Sequence, residues 1–272
     1  MSRCICQFLT FAMVYPFFLM NGRPSADPFS VQVKRGERVR LRLINAAADT
    51  IFCFTVDGHP LTIVAGDGQP VVRRATDAVV LGMGERADVL LDATSPGAHR
   101  MIATALGKGG KAVGVLRYLG SRASVPPANA GTQKPRRIVS YTDLRSIGEP
   151  PLSRAAGSIR LTLGMNMMAP YSWTMGGQAY PDADPIRIGR NEHTRLVLAN
   201  ETTMPHPIHL HGNFFRLAGA AGHGLLKDTV LVGPRQTTTI QLVGDNPGRW
   251  MLHCHNDYHM MSGMMRRLDI GV

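Results

Sequence analysis

Two short runs near the end of this 272-residue chain contain most of the side chains that could bind a metal ion. They supply six of its ten histidines, together with one cysteine and one methionine. The eight candidate ligands are His206, His209, His211, His253, Cys254, His255, His259 and Met264. Imidazole, thiolate and thioether groups are ligands of transition metals. We therefore expect metal chemistry in this part of the chain.

The spacing divides these residues between two sites. In an extended strand neighbouring side chains point to opposite faces, so Cys254 points one way while His253 and His255 point the other. A loop that returns to the cysteine side would complete a first site, whose members are His206, Cys254, His259 and Met264. Two imidazoles, a thiolate and a weak thioether favour a trigonal blue-copper electron-transfer site. Zinc is the rival, but its motifs have paired cysteines or compact Cys2His2 spacing, and neither occurs here.

The opposite face collects a second, all-imidazole site. Its members are His209, His211, His253 and His255. His209 and His211 are two residues apart and share one face of a strand. Imidazole clusters suit copper and can hold dioxygen there. The tripeptide 253–255 would then connect the two sites through the backbone.

An internal repeat, offset by 155 residues (Asn45 against Asn200), provides the elements that position these sites. The pattern of each copy predicts a strand, a turn and a second strand, and Val39, Leu41 and Leu43 alternate with arginines as in a half-buried strand. A Pro-Gly pair followed by an apolar run recurs later, at 96–97 and 247–248. With 29 glycines and 18 prolines, the chain is rich in turn formers. We predict an all-β protein of two β-sandwich domains, without a helix longer than a few turns.

Composition and the first residues indicate which classes of partner to expect. The net charge is +11, but the basic residues are scattered and no nucleic-acid motif accompanies them, so we expect no nucleic acid as partner. The apolar stretch 4–20 is interrupted by Gln7, Thr10 and Pro16, so we expect no stable membrane span. Two interpretations of the start stay open: a signal peptide, for which no clear cleavage site follows, or a leader before a buried strand at 15–20.

The motif pair His-Pro-x-His-Leu-His and His-Cys-His-x3-His-x4-Met resembles the C-terminal domain of multicopper oxidases, a family that includes laccases and bacterial copper-tolerance oxidases. The resemblance covers about residues 15–272 and implies two cupredoxin-like Greek-key β-sandwich domains. By family roles, type 1 copper would be held by His206, Cys254, His259 and Met264. Type 2 copper would be held by His209, and the type 3 pair by His211, His253 and His255. The family takes electrons from a phenol or a metal ion at type 1 copper and passes them to dioxygen at the trinuclear cluster, with Cys254, His253 and His255 between the two.

The resemblance also implies a domain plan and a place in the cell. Residues 1–14 are an unmatched leader, 15–120 a copper-free domain like the middle domain of a three-domain oxidase, 121–151 a linker, and 152–272 the copper-binding domain. Aligned on the repeat, the counterparts of His206, His209 and His211 are Ile51, Phe54 and Val56, and those of residues 253–255 are Ile102, Ala103 and Thr104. The first copy therefore lacks ligands. By the same resemblance we expect a periplasmic or otherwise extracytoplasmic protein.

The cluster of this family uses eight histidines, of which this chain has four. The other four belong to two His-x-His motifs of an N-terminal domain, and His-x-His occurs here only at 209–211 and 253–255. We expect a missing N-terminal domain or a second chain as partner. Three functions stay open: an oxidase completed from elsewhere, a module that holds type 1 copper and transfers electrons, and an inactive truncated remnant.

Overall fold

The structure is a computed structural model that describes residues 13–131, 134–148, 152, 154–169, 171–218 and 224–272. Residues 1–12 of the expected leader lie outside the described residues. Strands dominate both halves, as the period-two alternation predicts. In the first half they are β1 (Leu19–Met20), β2 (Arg23–Pro24), β3 (Ser30–Val33), β4 (Arg38–Ile44), β5 (Phe52–Val56), β6 (Leu61–Gly66), β7 (Gln69–Thr76), β8 (Val79–Leu81), β9 (Arg86–Asp92), β10 (Ala98–Ala105) and β11 (Lys111–Tyr118).

These strands form two main sheets with a buried interior. One sheet has the order β3-β11-β10-β5-β8 and the other the order β4-β9-β6-β7. Along β4, Val39, Leu41 and Leu43 pack against the core while the arginines between them are exposed, so the alternation is confirmed. The first strand of the five-stranded sheet, β3, pairs in parallel with the last, β11. Such long-range closure is typical of Greek-key sandwiches.

The second half repeats this plan. After a 3-10 helix at Tyr141–Asp143 its strands are β12 (Gly157–Met165), β13 (Trp173–Met175), β14 (Ile186–Ile188), β15 (His193–Asn200), β16 (His206–Leu210), β17 (Phe215–Leu217), β18 (Leu226–Lys227), β19 (Thr229–Val232), β20 (Thr237–Val243), β21 (Gly248–Cys254) and β22 (Met265–Ile270). Their sheets have the orders β13-β12-β15-β20-β17-β18 and β14-β22-β21-β16-β19. One short helix, α1 (Asp257–Met261), precedes β22. Among the described residues no helix has the length and apolarity to cross a membrane.

The internal repeat extends to matching hydrogen bonds. The buried Asn45 side chain donates to the carbonyl of Thr50 at 2.8 Å, and the buried Asn200 side chain donates to that of Met204 at 2.7 Å. Each amide closes the turn that connects one strand to the next, β4 to β5 for Asn45 and β15 to β16 for Asn200. The sheets of each half contain only strands of that half. The all-β, two-sandwich prediction is confirmed, and the boundaries at 15–120 and 152–272 stay a prediction.

Two segments outside the sheets bear on the expectations. A buried first strand at 15–20 is wrong: only Leu19 and Met20 are paired, with the two-residue β2, and Phe17 is 63% exposed. This hairpin lies outside the two main sheets and is only partly covered, since Met20 packs against the core and Phe18 contacts Phe52. Residues 134–148 of the expected linker lie against the first half, where Ile138 and Ser146 bridge to Ala78 and Val71.

Candidate metal centre

Two adjacent strands carry most of the candidate ligands. β16 pairs antiparallel with β21, so that Ile208 faces Cys254 and His209 faces His253. Since side chains alternate along a strand, Cys254 and His253 leave β21 on opposite sides. The structure places Cys254 in one group of ligand atoms and His253 in another. The two-sided arrangement expected from the tripeptide is therefore present in the geometry.

The first group is buried and compact. His206 Nδ1 lies 3.0 Å from His259 Nδ1, and Cys254 Sγ lies 3.7 Å from each. All three side chains are at most 3% exposed. Metal bonds of about 2.0–2.3 Å to nitrogen and sulfur place neighbouring ligand atoms at such separations. This donor set, two imidazoles and a soft thiolate, fits copper.

Burial sets the protonation of this group. It lowers the pKa of His259 to about 3 and, with His259 as neighbour, holds the pKa of His206 well below its ordinary value. Burial also raises the pKa of the Cys254 thiol, which an N–H from Asn256 at 3.4 Å only partly offsets. Without a cation all three groups are neutral at pH 7. A bound cation would reverse the preference of the thiol, since thiolate is the form that ligates.

Neighbouring side chains hold the two imidazoles in place. Thr202 Oγ1 lies 2.9 Å from His206 Nε2, which leaves Nδ1 to face the cysteine. The ring of Trp173 lies 3.9 Å from that of His259, centroid to centroid. Met264 is fully buried, and its backbone exchanges hydrogen bonds with this group: its carbonyl accepts from Cys254 N–H and its N–H donates to the His259 carbonyl, both at 3.0 Å.

The loop that returns His259 to the group is anchored in the first half of the chain. Asn256 caps α1 by accepting from the N–H groups of Tyr258 and His259. Its side-chain amide also donates to Asp49 Oδ1 at 2.6 Å. Asp49 in turn pairs with Lys108 at 2.6 Å, and both side chains are 7% exposed. Sequence reasoning missed Asp49 and Lys108, because only the fold brings them beside residue 256.

The second group is more open: ligand atoms of His209, His211 and His253 lie together, and the ring of His255 lies 5.8 Å from those of His209 and His253, centroid to centroid. His211 Nε2 lies 3.0 Å from His253 Nε2, and the ring of His209 is 5.0–5.8 Å from those of His211, His253 and His255, centroid to centroid. His211 is exposed and His253 is buried. Burial lowers the pKa of His253 to about 4, and burial followed by His209 lowers that of His211. Neutral imidazoles are the form that binds a metal.

Two of these histidines have a defined tautomer. His209 Nδ1 contacts the Asp228 carbonyl at 3.0 Å, and His253 Nδ1 contacts the Cys254 carbonyl at 2.9 Å. A carbonyl oxygen only accepts, so each Nδ1 carries the hydrogen and each Nε2 keeps a free lone pair. Hydrogen bonds of this kind fix the orientation of metal-binding histidines. The two rings therefore present Nε2 as the ligand atom.

The first half has no such groups at the equivalent strands, although the expected alignment is wrong by one residue there. Thr55 faces Ile102 across β5 and β10, as His209 faces His253 across β16 and β21. Aligning the two Pro-Gly pairs places Ile102 opposite His253. Because Thr55 pairs with Ile102, the counterpart of His209 is Thr55 and not Phe54. The connection from Asn45 to β5 is one residue longer than that from Asn200 to β16. The counterparts of His206, His209 and His211 are therefore Phe52, Thr55 and Asp57.

Comparison with known proteins gives a consistent result. Two family models described as multicopper oxidase match residues 9–121 and 155–271. The chain is 38% identical over 268 residues to multicopper oxidase MmcO of Mycobacterium tuberculosis, covering 94% of this chain and 51% of that protein. It is 26% identical to a copper resistance protein A homolog of Pseudomonas syringae pv. tomato, covering 93% of this chain and 58% of that protein.

Solved structures show the same fold. The laccase of Botrytis aclada superposes with a TM-score of 0.79 at 23% identity, over 89% of this chain and 53% of the laccase. A multi-copper oxidase from Pseudomonas thermotolerans gives a TM-score of 0.70 at 26% identity, over 93% of this chain and 59% of that one. The chain thus spans somewhat more than half the length of these relatives.

Proposed function

The chain belongs to the multicopper oxidase family, whose members bind copper, and on this premise we propose which residues hold the metal. A type 1 copper is held by His206, Cys254, His259 and Met264. His209 is a ligand of type 2 copper, and the type 3 pair is held by His211, His253 and His255. The function is that of an oxidoreductase that takes electrons from a phenol or a metal ion and delivers them to dioxygen.

One observation carries this proposal: consecutive residues serve both groups. Cys254 lies within 3.7 Å of two buried imidazoles, while His253, its direct neighbour, lies 3.0 Å from His211 on the other side of the strand. The backbone between these two residues is the short covalent connection between the groups. An electron that enters at the cysteine side could pass through this connection to the histidine side.

The side chains of the first group are suited to a site that changes charge without large motion. Copper, when bound, supplies one-electron redox chemistry. The protein holds His206 through Thr202, stacks Trp173 on His259 and excludes water by burial. Rigid, dry surroundings leave little to rearrange when the charge changes. The imidazoles of His206 and His259 remain neutral, the form that binds a metal, at every pH in the physiological range, because their pKa values are lowered.

The second group determines whether the chain works alone. Its four histidines are half the number that the family uses for a trinuclear cluster, and His211 is exposed at the edge of the group. We propose that the remaining ligands come from a missing N-terminal domain or from a second chain that covers this face. The exposed group favours one alternative, a type 1 copper module that transfers electrons or binds copper without reducing dioxygen.

The metal-ion substrate has a specific observation in its favour. Met167, Met168 and Met261 are 89%, 93% and 82% exposed, so their thioethers are accessible to a metal ion in solution. Thioethers are soft ligands that select Cu(I). We therefore include Cu(I) beside phenols as a candidate reductant. An extracytoplasmic location completes the proposal, in line with the family resemblance.

The experiment measures copper per chain after dialysis, together with oxygen uptake supplied with a phenol or with Cu(I). We expect about one tightly held copper, a blue colour and negligible uptake from the 272-residue chain alone, because an incomplete ligand set holds copper weakly. A chain that retains no copper after dialysis would refute the ligand assignment. Full occupancy of a type 1 site and a trinuclear cluster, with sustained uptake, would refute the need for a partner.

A further inference from the structure

One turn of the ligand-free first half contacts His255 directly and reaches His209 through side chains of the second half. The turn is Gly82–Arg86, which connects β8 to β9 and includes the first residue of β9. We propose that it is a positioning element for the cluster, acting on His255 through Gly84 and on His209 through Arg86. The inference rests on the proposed function, since it assumes that these histidines bind copper.

The turn itself is firmly held. Gly84 has a φ of +80° and donates its N–H to the Asn45 carbonyl at 2.9 Å. Glu85 N–H donates to the Gly82 carbonyl at 3.1 Å, and Arg86 N–H donates to Asp67 Oδ1 at 2.9 Å. Asp67 and Glu85 are 1% exposed. A segment with its donors satisfied and its acids buried can act as a fixed surface for a neighbouring ring.

Gly84 provides that surface to His255. A Cβ on residue 84 would lie 2.3 Å from His255 Cδ2 and 2.8 Å from its Cγ and Nε2. The imidazole therefore packs directly on the bare glycine backbone, closer than any side chain allows. Within the described part of the chain, His255 Nδ1 is buried without a hydrogen-bond partner. Packing on residue 84, and not a hydrogen bond to Nδ1, therefore fixes this ring.

Arg86 reaches His209 through two residues of the second half. Its guanidinium binds the Asp228 carboxylate with two bonds of 2.6 and 2.7 Å. Asp228 Oδ1 accepts from Thr229 Oγ1 at 2.9 Å, and Thr229 Oγ1 lies 3.0 Å from His209 Nδ1. Since Nδ1 carries its hydrogen, the donors run in one direction, from imidazole to hydroxyl to carboxylate. The arginine completes this series, and its planar fork orients the carboxylate more firmly than a point charge does.

The charges around this series come from both halves. Asp228 lies between the two halves: Arg86 binds its carboxylate at 2.6 Å, and His209 Nδ1 lies 3.6 Å from its Oδ1. Lys227, the preceding residue, points the other way into Asp67 and Glu85, at 2.8 and 3.1 Å. Both residues of this dipeptide are thus bound by the first half. Strand β19 begins directly after this dipeptide at Thr229, which contacts His209, so it cannot shift without breaking these contacts.

The test uses the variant Gly84→Ala with Gly36→Ala as its matched control. Gly36 has a φ of +84°, and a Cβ on residue 36 would meet nothing within 4 Å, so both variants strain the backbone equally and only Gly84→Ala crowds a histidine. The chain is titrated with Cu(II), and the second copper is followed by electron paramagnetic resonance while the blue absorbance reports the first. We expect Gly84→Ala to weaken the second copper about 10–100-fold, with the blue absorbance and the Gly36→Ala protein unchanged.

A second pair of variants covers the case in which Gly84→Ala does not fold. Arg86→Gln removes the fork beside Asp228, and Arg40→Gln removes an exposed arginine that pairs with Asp88 in the same sheet. We expect weaker binding of the second copper only for Arg86→Gln, with partial recovery in Arg86→Lys. Equal effects of the two glycine variants, or of the two arginine-to-glutamine variants, would overturn the inference.

Metal-free NMR separates this inference from the proposed function. Nitrogen-correlated spectra of the imidazoles should show His209 protonated at Nδ1 in the unaltered chain and a changed tautomer balance in Arg86→Gln. If the unaltered chain takes up no second copper, the proposed ligand role fails, and the spectra alone decide the positioning. An unchanged His209 signal in Arg86→Gln would then contradict it.

Discussion

Replacing Lys227 by methionine should destabilise the chain through two buried carboxylates. Lys227 is 4% exposed and lies between Asp67 and Glu85, whose side chains are 0% and 2% exposed. Burial lowers the pKa of Lys227, but the two carboxylates outweigh it and raise that pKa above its ordinary value. The lysine is therefore charged, and its contribution is fully present below its ordinary pKa of about 10.4 and lost only as pH rises through the higher folded-state value. Methionine keeps an unbranched apolar side chain of similar length and removes the ammonium group, with its charge and its hydrogen bonds to both carboxylates.

The magnitude follows from what the carboxylates retain. Removing one partner of a buried ion pair costs about 3–5 kcal/mol, because the other charge stays buried and uncompensated. Here Asp67 still accepts from Arg86 N–H at 2.9 Å, and Glu85 still accepts from Gly82 N–H at 2.7 Å and from the Tyr141 hydroxyl at 2.5 Å. These remaining donors place the expected loss at the lower end, about 3 kcal/mol of unfolding free energy.

Urea unfolding measures this loss, with tryptophan fluorescence as the signal. Trp173 and Trp250 are the two tryptophans and both lie in the second half, so the signal reports the half that carries Lys227. The control is Arg38→Gln, since Arg38 and Asp92 form an exposed pair, 60% and 57% exposed, and solvent screens such a pair so that it adds little to stability. Adding Glu85→Gln to Lys227→Met should restore part of the loss. A cost for Lys227→Met as small as that of Arg38→Gln would refute the reasoning.

Two further predictions concern the buried ligand group. Cys254→Ser should abolish the blue colour of the copper-loaded chain. Met264→Leu should keep the colour and raise the reduction potential, because a thioether is only a weak ligand. Visible spectra and a redox titration measure both effects, and colour that survives only in Cys254→Ser would contradict the assignment. The metal-free chain should lose stability as pH falls from about 6.5 towards 4, since the pKa of His259 is about 3 when folded and the unfolded chain takes up the proton first. His259→Leu should reduce the slope of stability against pH by up to one proton, which is about a tenfold change in the folding constant per pH unit. If urea unfolding at several pH values gives the same slope for the variant and the unaltered chain, a buried neutral imidazole at residue 259 is contradicted.

The ligand groups were predictable because their spacing repeats the geometry of a strand. Residues 253–255 alternate between faces, and so does β4, whose buried and exposed positions follow the sequence. The register of β5 was not predictable, since one extra residue after Asn45 shifts Phe54 off the position equivalent to His209. Local sequence patterns specify which face a residue takes, but only pairing across strands specifies its partner.

The same limit applies to the residues that hold the ligands. Arg86 and Asp228 are 142 positions apart, and Asp49 and Asn256 are 207 apart, so no local pattern connects either pair. Their side chains are polar or charged types that usually lie at the surface, and these pairs form only where the two halves meet. The sequence therefore indicated the two groups of proposed ligands but not the side chains that contact and orient them.

These contacts give the ligand-free half a physical reason to accompany the other. Asp49 binds Asn256 in the loop that presents His259, and Arg86 binds Asp228 beside His209, so residues of the first half lie behind each proposed ligand group. Separating the halves would leave Lys227 without Asp67 and Glu85, and its charge would then face apolar surroundings or water. Because a copper site needs ligands held before the metal arrives, a half that binds no metal can still determine how well its neighbour does. Both copies of the repeat form a sandwich, and under the proposed function one copy carries the ligands while the other carries residues that support them.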